Sequence, residues 1–135
     1  MFSKLLLVVT IALSAAVNGA PTNDTLVVRD GWTTDVTWYH PGLGACGRQN
    51  GDNDLVAAVS QTVYNNWPGA TANPNLNPIC GRRARVVANG KTVDVTIVDK
   101  CMACATFDID LSPAAFQKLA PLSVGRIKGG SYTTP

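Results

Sequence analysis

The chain has 135 residues, 46% of them hydrophobic, with eleven Lys and Arg against nine acidic residues and a formal net charge of +2. That length fits one domain, and a charge this small, with no concentrated basic stripe, excludes a fold organised around a nucleic-acid partner. All nine acids are Asp and only 15% of the residues are charged; without Glu, a strong helix former, a helical bundle or coiled coil is disfavoured.

The chain opens with a short basic start at Met1 to Lys4, an apolar run over residues 5–17 and the small exit Asn18, Gly19 and Ala20. This is the pattern of a secretory signal peptide, and its apolar middle is too short to span a bilayer. Residues 1–19 are therefore expected to be removed, leaving a secreted, membrane-free chain of formal charge near +1 once Lys4 is gone. Residues 20–30 read as a polar tail. Asn23-Asp24-Thr25 is the only Asn-x-Ser/Thr sequon, which makes Asn23 a candidate glycosylation site.

From residue 31 to 135 a single domain is expected. Trp32, Thr34, Val36 and Trp38 alternate with Thr33, Asp35, Thr37 and Tyr39, which is strand periodicity and puts Thr37 and Tyr39 on the face opposite Val36 and Trp38. Residues 40–47 are too rich in Gly and Pro for regular structure, and a polar turn follows at 50–54. Leu55, Val56, Val59 and Val63 fall at helical spacing, with Asn53 or Asp54 available as cap and Pro68-Gly69 as stop, so a helix is predicted over 55–66. Residues 67–79, with three Pro and three Asn, form an irregular excursion.

Residues 85–88 and 91–98 flank Asn89-Gly90, the dipeptide that supplies two positive φ angles to a tight hairpin. Val93, Val95 and Ile97 then share a face, and the same parity puts Asp99 on that apolar side at the strand end. Arg82, Arg83 and Arg85 read as a solvated strand edge that discourages edge-to-edge pairing. Ser112-Pro113 starts a short helix that stops at Pro121, and residues 124–134 read as a last strand. The fold class is all-β with one or two short helices.

Cys46, Cys80, Cys101 and Cys104 enter an oxidising compartment, so two disulfides are expected, with three pairings open. Only Cys101 and Cys104 are closely spaced, and the chain has a single His, His40. That argues against a structural zinc site, and neither metal nor cofactor is expected. No βαβ alternation surrounds the CxxC, which disfavours a thioredoxin-like redox role. Asp99, ending an apolar-faced strand, and Asp110, just ahead of a helix already capped by Ser112, are the carboxylates with unusual contexts. Residue spacing leaves structural and functional roles evenly open for both.

Four segments carry a family resemblance: Val36-Thr-Trp-Tyr39, Gly44-Ala-Cys-Gly47, Val95-Thr-Ile-Val-Asp-Lys-Cys101 and Asp108-Ile-Asp-Leu-Ser-Pro-Ala-Ala-Phe116. In this order they resemble the landmarks of the expansin and rare-lipoprotein-A-like double-psi β-barrel, over residues 32 to about 130. Single-domain fungal loosenins look most similar, since the chain ends where the barrel should end. The resemblance implies a six-stranded barrel with a polysaccharide groove holding Thr37, Trp38, Tyr39, Asp99 and Asp110, although strand parity sets Trp38 opposite Thr37 and Tyr39. It implies the disulfides Cys46–Cys80 and Cys101–Cys104.

Asp110 matches the Asp that expansins need and that family-45 endoglucanases of this barrel type use as general acid. The sequence departs from the pattern at Asp108-Ile-Asp110, where expansins have His-Phe-Asp, and at Cys101, in the place of a groove aromatic. His40 stands where those endoglucanases place their base Asp. Inverting hydrolysis needs both an acid and a base, so the resemblance implies a monomeric, non-hydrolytic protein that binds and loosens cell-wall cellulose, chitin or peptidoglycan. The alternatives are a weak endoglucanase or lytic transglycosylase with Asp110 as acid, and a secreted protease inhibitor or effector for which Trp67-Pro68-Gly69 is the candidate exposed loop.

Overall fold

A computed structural model describes residues 32–135; the expected leader, the tail and the Asn23 sequon lie outside the described residues. Its elements in chain order are β1 (Trp32–Trp38), β2 (Val56–Ser60), α1 (Gln61–Asn65), β3 (Arg83–Ala88), β4 (Lys91–Cys101), β5 (Ile109–Leu111), α2 (Pro113–Gln117) and β6 (Arg126–Thr133), with single 3₁₀ turns at Pro74–Leu76 and Leu122–Val124. The six strands close into one barrel in the order β1-β5-β2-β4-β3-β6. β1/β5 and β2/β4 are parallel, and the other neighbours are antiparallel.

Asn89 and Gly90 take φ values of 52° and 68°, the conformation of the expected hairpin turn, and set Val86 opposite Val93 and Ala84 opposite Val95. The alternating apolar residues of this hairpin point inward. They meet Val36 of β1, Ala57 and Val59 of β2, Ile109 and Leu111 of β5, and Ile127 and Tyr132 of β6 in one continuous core, closed at one end by Phe116 and Leu119. Ser112 caps α2 by accepting from the Ala115 amide, with Pro113 in the first turn.

The sequence reading needs three corrections. Residues 56–60 are a strand and not the first half of a helix; only Gln61–Asn65 is helical, capped by Ser60. β2 lies between β4 and β5 and is buried at every position, so it has no polar face, and a short apolar run of this kind does not reveal its period. Secondly, β3 is no edge, because a closed barrel has none. Its Arg85 points outward and makes a paired contact with Asp94 directly across the hairpin, at 2.9 and 3.1 Å. Thirdly, Asp99 is not on the apolar side: Ala57 pairs with Ile97 but Ala58 pairs with Asp99, so Val98 is an extra residue and the bulge turns Asp99 to the outer face.

Two disulfides, Cys46–Cys80 and Cys101–Cys104, join residues 34 and 3 apart. The first ties the loop after β1 to the start of β3, a long closure whose loss should cost about 3 kcal/mol. Replacing Cys46 and Cys80 together by Ala should lower the melting temperature by on the order of 10–20 °C, whereas the same change at Cys101 and Cys104 should cost less than half of that. A thermal melt of the two variants checks the ordering.

Candidate functional site

The strand registers assemble a row of side chains across five strands on the outer face of the barrel. Arg126 of β6 pairs with Thr37 of β1, Thr37 with Asp110 of β5, Asp110 with Ala58 of β2, and Ala58 with Asp99 of β4. Residues paired across a ladder project to the same side, so Thr37, Asp110 and Asp99 stand together with Ala58 between the two carboxylates. Ala58 is only 2% exposed and forms a low floor. At the usual strand spacing the Cα atoms of Asp110 and Asp99 are about 9–10 Å apart.

The two acids are held differently. Asp110 is half-buried, and the Thr37 hydroxyl donates to its Oδ1 at 2.9 Å. Burial pushes its pKa up; the Thr37 hydrogen bond and the Arg126 cation oppose this, and the Asp99 charge adds to it. Asp99 Oδ1 accepts from two backbone amides, Ala45 at 2.8 Å and Lys100 at 2.7 Å. It thereby fastens the loop after β1 to the bulge, where the Cys46 amide also donates to the Val98 carbonyl at 3.2 Å. Gly44 makes this approach possible, since a Cβ there would stand 2.5 Å from the Val98 carbonyl oxygen and 3.2 Å from the Asp99 side chain.

Tyr39 lies on the same side. Burial first, then the charges of Asp99 and Asp110, raise its pKa well above the ordinary tyrosine value, with a smaller effect from hydrogen bonding to Asp99. That contact falls outside ordinary hydrogen-bond geometry, so the covered hydroxyl has no partner. What the half-exposed residue presents to the outside is therefore not its oxygen. Trp38 points the other way, packs against the core, and donates its indole N–H to the Leu122 carbonyl at 3.0 Å. It closes the barrel end and does not join the row.

His40 is exposed, with Nδ1 2.9 Å from both oxygens of Asp52 and its ring edge-on to Trp38 at 5.4 Å. The Cys101 and Cys104 sulfurs and the Asp110 carboxylate lie within 4.8 Å of one another, but both sulfurs are spent in the disulfide. The disulfide therefore walls the groove beside Asp110 and holds no metal in this form. Two pockets of about 320 Å³ lie elsewhere, one beside Arg83 and Asp94 and one beside Tyr64 and Lys100. The row itself is open, which suits a long ligand laid across the strands better than an enclosed small molecule.

Residues 33–130 match a family described as DPBB_1, lytic transglycolase. The chain belongs to this family, the expansin-related double-psi β-barrels. This expansin-related barrel is 39% identical over 127 residues to the papain inhibitor of Streptomyces mobaraensis, covering 87% of the chain and 85% of that relative. A solved Streptomyces papain inhibitor superposes with a TM-score of 0.71 at 36% identity, over 78% of this chain and 94% of that one. A mutant Clavibacter michiganensis expansin in complex with cellohexaose superposes with a TM-score of 0.63 at 25% identity, over 78% of this chain. The chain spans half of that expansin's length.

Sequence reasoning missed Ala58, Gly44 and Arg126. Gly44 had a signal, its place two residues before Cys46 in a quoted motif. Ala58 and Arg126 had none, because their roles come from strand register. The raised pKa of Asp110 means that the folded state favours its protonated form, so its ionisation costs stability above the folded pKa and the cost vanishes below the unfolded value. Asp110→Asn should therefore melt at or above the wild-type temperature at pH 7, and the difference should shrink towards pH 3. Thermal melts of both proteins across that range measure it.

Proposed function

We propose that this protein is an extracellular, non-lytic polysaccharide-binding protein of the loosenin kind, which lays a cell-wall glycan such as cellulose or chitin along the Thr37–Asp110–Ala58–Asp99 row and displaces hydrogen bonds between glycan chains. The observation that carries this reading is the open row in which Asp110 is the acid not anchored to backbone amides, with His40 outside the row. Asp110 keeps acceptor capacity for sugar hydroxyls beyond its bond from Thr37. Asp99 Oδ1 is tied to two backbone amides as part of the loop anchor, and His40 lies beyond the end of β1, paired through Nδ1 with Asp52, so the row itself sets no imidazole or second unanchored carboxylate opposite Asp110 in the role inverting hydrolysis needs. The half-exposed ring of Tyr39 stacks on a sugar, and the wall formed by Cys101–Cys104 takes the place of the missing aromatic. That an expansin, half of whose chain superposes on this barrel, is in complex with cellohexaose supports a glucan as the class of ligand. The leader-like start and the two disulfides support secretion.

Pull-down on cellulose and chitin with analysis of the same supernatants tests the reading. The wild type should be retained without releasing reducing ends, and Asp110→Asn should weaken retention by about tenfold, the loss of hydrogen bonds to a charged acceptor. Reducing ends released by the wild type and abolished in Asp110→Asn would instead make the protein a glycan-cleaving enzyme.

A second reading, protease inhibition, is favoured by the likeness to the papain inhibitor, which extends along 85% of that relative. Trp67 is not its contact residue: it is buried in the core with the Arg82 guanidinium 5.3 Å above its ring. The two most exposed large apolar side chains among the described residues are instead Leu43 and Leu76, at 74% and 66% exposure. They sit on two loops that meet where Asn75 abuts Gly47, and residues 41–47 and 68–80 carry no charge. If this edge inhibits, Leu43→Asp with Leu76→Asp should abolish inhibition of papain and leave glycan retention intact, while Asp110→Asn should do the reverse. Absence of papain inhibition by the wild type ends this reading.

A further inference from the structure

Asp108 poses a physical problem. It stands two residues before Asp110, where expansins carry a His, and on the same side of the chain. Burial and the Asp99 charge already disfavour ionisation of the groove acid, and a further like charge so near adds to that unless it is compensated. The side chain of Asp108 is only 15% exposed, and a buried, unpaired carboxylate is costly. The surroundings compensate it from two directions. Asp108 Oδ1 accepts from the Asp35 amide at 3.1 Å, and Oδ2 is 3.4 Å from Arg126 Nη1, which also donates to Asp35 Oδ2 at 2.9 Å. One guanidinium nitrogen thus grips a carboxylate from β1 and a carboxylate at the entrance of β5.

The place of this grip matters. The β1–β6 ladder slips at Asp35: Thr34 pairs with Gly130 but Val36 pairs with Ile127, so β6 has one residue too many, and Gly129 there takes a φ of 73°. Asp35 sits at that slip, and its own amide faces β5, as the Tyr39 amide faces Leu111; there, ahead of the first registered pair, the Asp108 side chain accepts it. On its other side β1 meets β5 through only three registered pairs. The Thr34 hydroxyl, donating to the Phe107 carbonyl at 2.5 Å, and the Asp108 side chain prolong this short seam. Thr37 and Asp110 meet on the same seam.

We propose that Arg126 is a positioning residue of the groove: by gripping Asp35 and Asp108 with one guanidinium it neutralises the extra carboxylate and holds the β1–β5 seam on which Thr37 presents Asp110. The charged and titratable groups facing Asp110 are Tyr39 after β1, Asp99 on β4, Asp108 ahead of β5 and Arg126 on β6, while β2 contributes the uncharged Ala58 and the β4–β5 loop a disulfide. Arg126 is the cation that favours the ionised form of Asp110, against burial and the Asp99 charge. Its removal leaves Asp35 and Asp108 uncompensated as well as depriving Asp110 of that cation. Arg126 is half exposed, so its influence is screened and should weaken as salt rises.

The functional consequence rests on the groove reading, but the electrostatic core of the inference is testable without any glycan. Carboxyl NMR titration of the ¹³C-labelled protein should show the Asp110 midpoint rising by about 0.5–1 pH unit in Arg126→Gln. Arg126→Lys, which keeps the charge, should hold it near the wild-type value. The double variant Asp108→Asn with Arg126→Gln, which removes the partner charge too, should bring the midpoint part of the way back. Retention on cellulose should follow, the acid limb of its pH profile moving up by the same amount in Arg126→Gln.

An unchanged Asp110 midpoint in folded Arg126→Gln overturns the inference, as does a shift that Arg126→Lys reproduces in full. If Arg126→Gln does not fold, the Lys and double variants decide by the same midpoints. A wild type that binds no glycan removes the groove reading and leaves the midpoints to decide the role of Arg126.

Discussion

The groove depends on a single extra residue in β4. With Val98 inserted opposite the gap between Ala57 and Ala58, Asp99 emerges beside Ala58 on the outer face; in an unbroken strand it would pair with Val59 and point into the core. A carboxylate inside an apolar barrel would be expelled or neutralised, so the bulge is a condition for having Asp99 at all. The loop after β1 holds that bulge in place: Cys46 donates to the Val98 carbonyl, Ala45 to Asp99, and Gly44 passes so close that no side chain fits. Cys46–Cys80 then ties the same loop to the chain entering β3. Loop, bulge and disulfide form one unit, and the acid row is what that unit exposes.

Within that row the acids are not equivalent, and the difference follows from their partners. Asp99 spends one oxygen on two backbone amides, a structural commitment that fixes the loop. Asp110 receives one side-chain hydroxyl, is half-buried, and has its ionisation disfavoured by that burial. On the proposed reading, the cost of ionising Asp110 is offset by what it contacts outside the barrel. His40 stands outside this row, beyond the end of β1, with Nδ1 on Asp52. On the proposed reading, Asp110 therefore meets sugar hydroxyls as a hydrogen-bonding group and not as one half of an acid–base pair.

Local chemistry made some elements legible in the sequence. Asn89-Gly90 and the alternating valines define the β3–β4 hairpin, Ser112-Pro113 starts α2, and the parity of Thr37 and Tyr39 holds in the structure because β1 keeps its alternation there. The sequence misleads wherever a non-local contact decides. Val56 to Ser60 read as helix because a strand buried on both faces has no polar positions to mark its period. The parity rule put Asp99 on the wrong face because a bulge leaves no trace in the spacing of hydrophobic residues. Trp67, next to Pro-Gly, looked exposed, yet a ring of that size fills the core and draws Arg82 over its face. Ala58 and Arg126 are unremarkable until strand register sets them at either side of the Thr37–Asp110 pair.

The Asp108 substitution ties these levels together. In isolation a second carboxylate beside the groove acid weakens the site. In this barrel it accepts the Asp35 amide at the point where the β1–β6 ladder slips, and it gives Arg126 a second anion to hold. Two strands on from β5, at the Val98 bulge, the Asp99 carboxylate accepts the amide of Lys100 on its own strand and that of Ala45, in a loop that has come too close for a side chain. Near both ends of the acid row a short acidic side chain thus accepts backbone amides beside a bulge. Asp can do this at close range where Glu, one methylene longer, reaches less well to local backbone, which gives a physical reason for the acids in this chain all being Asp.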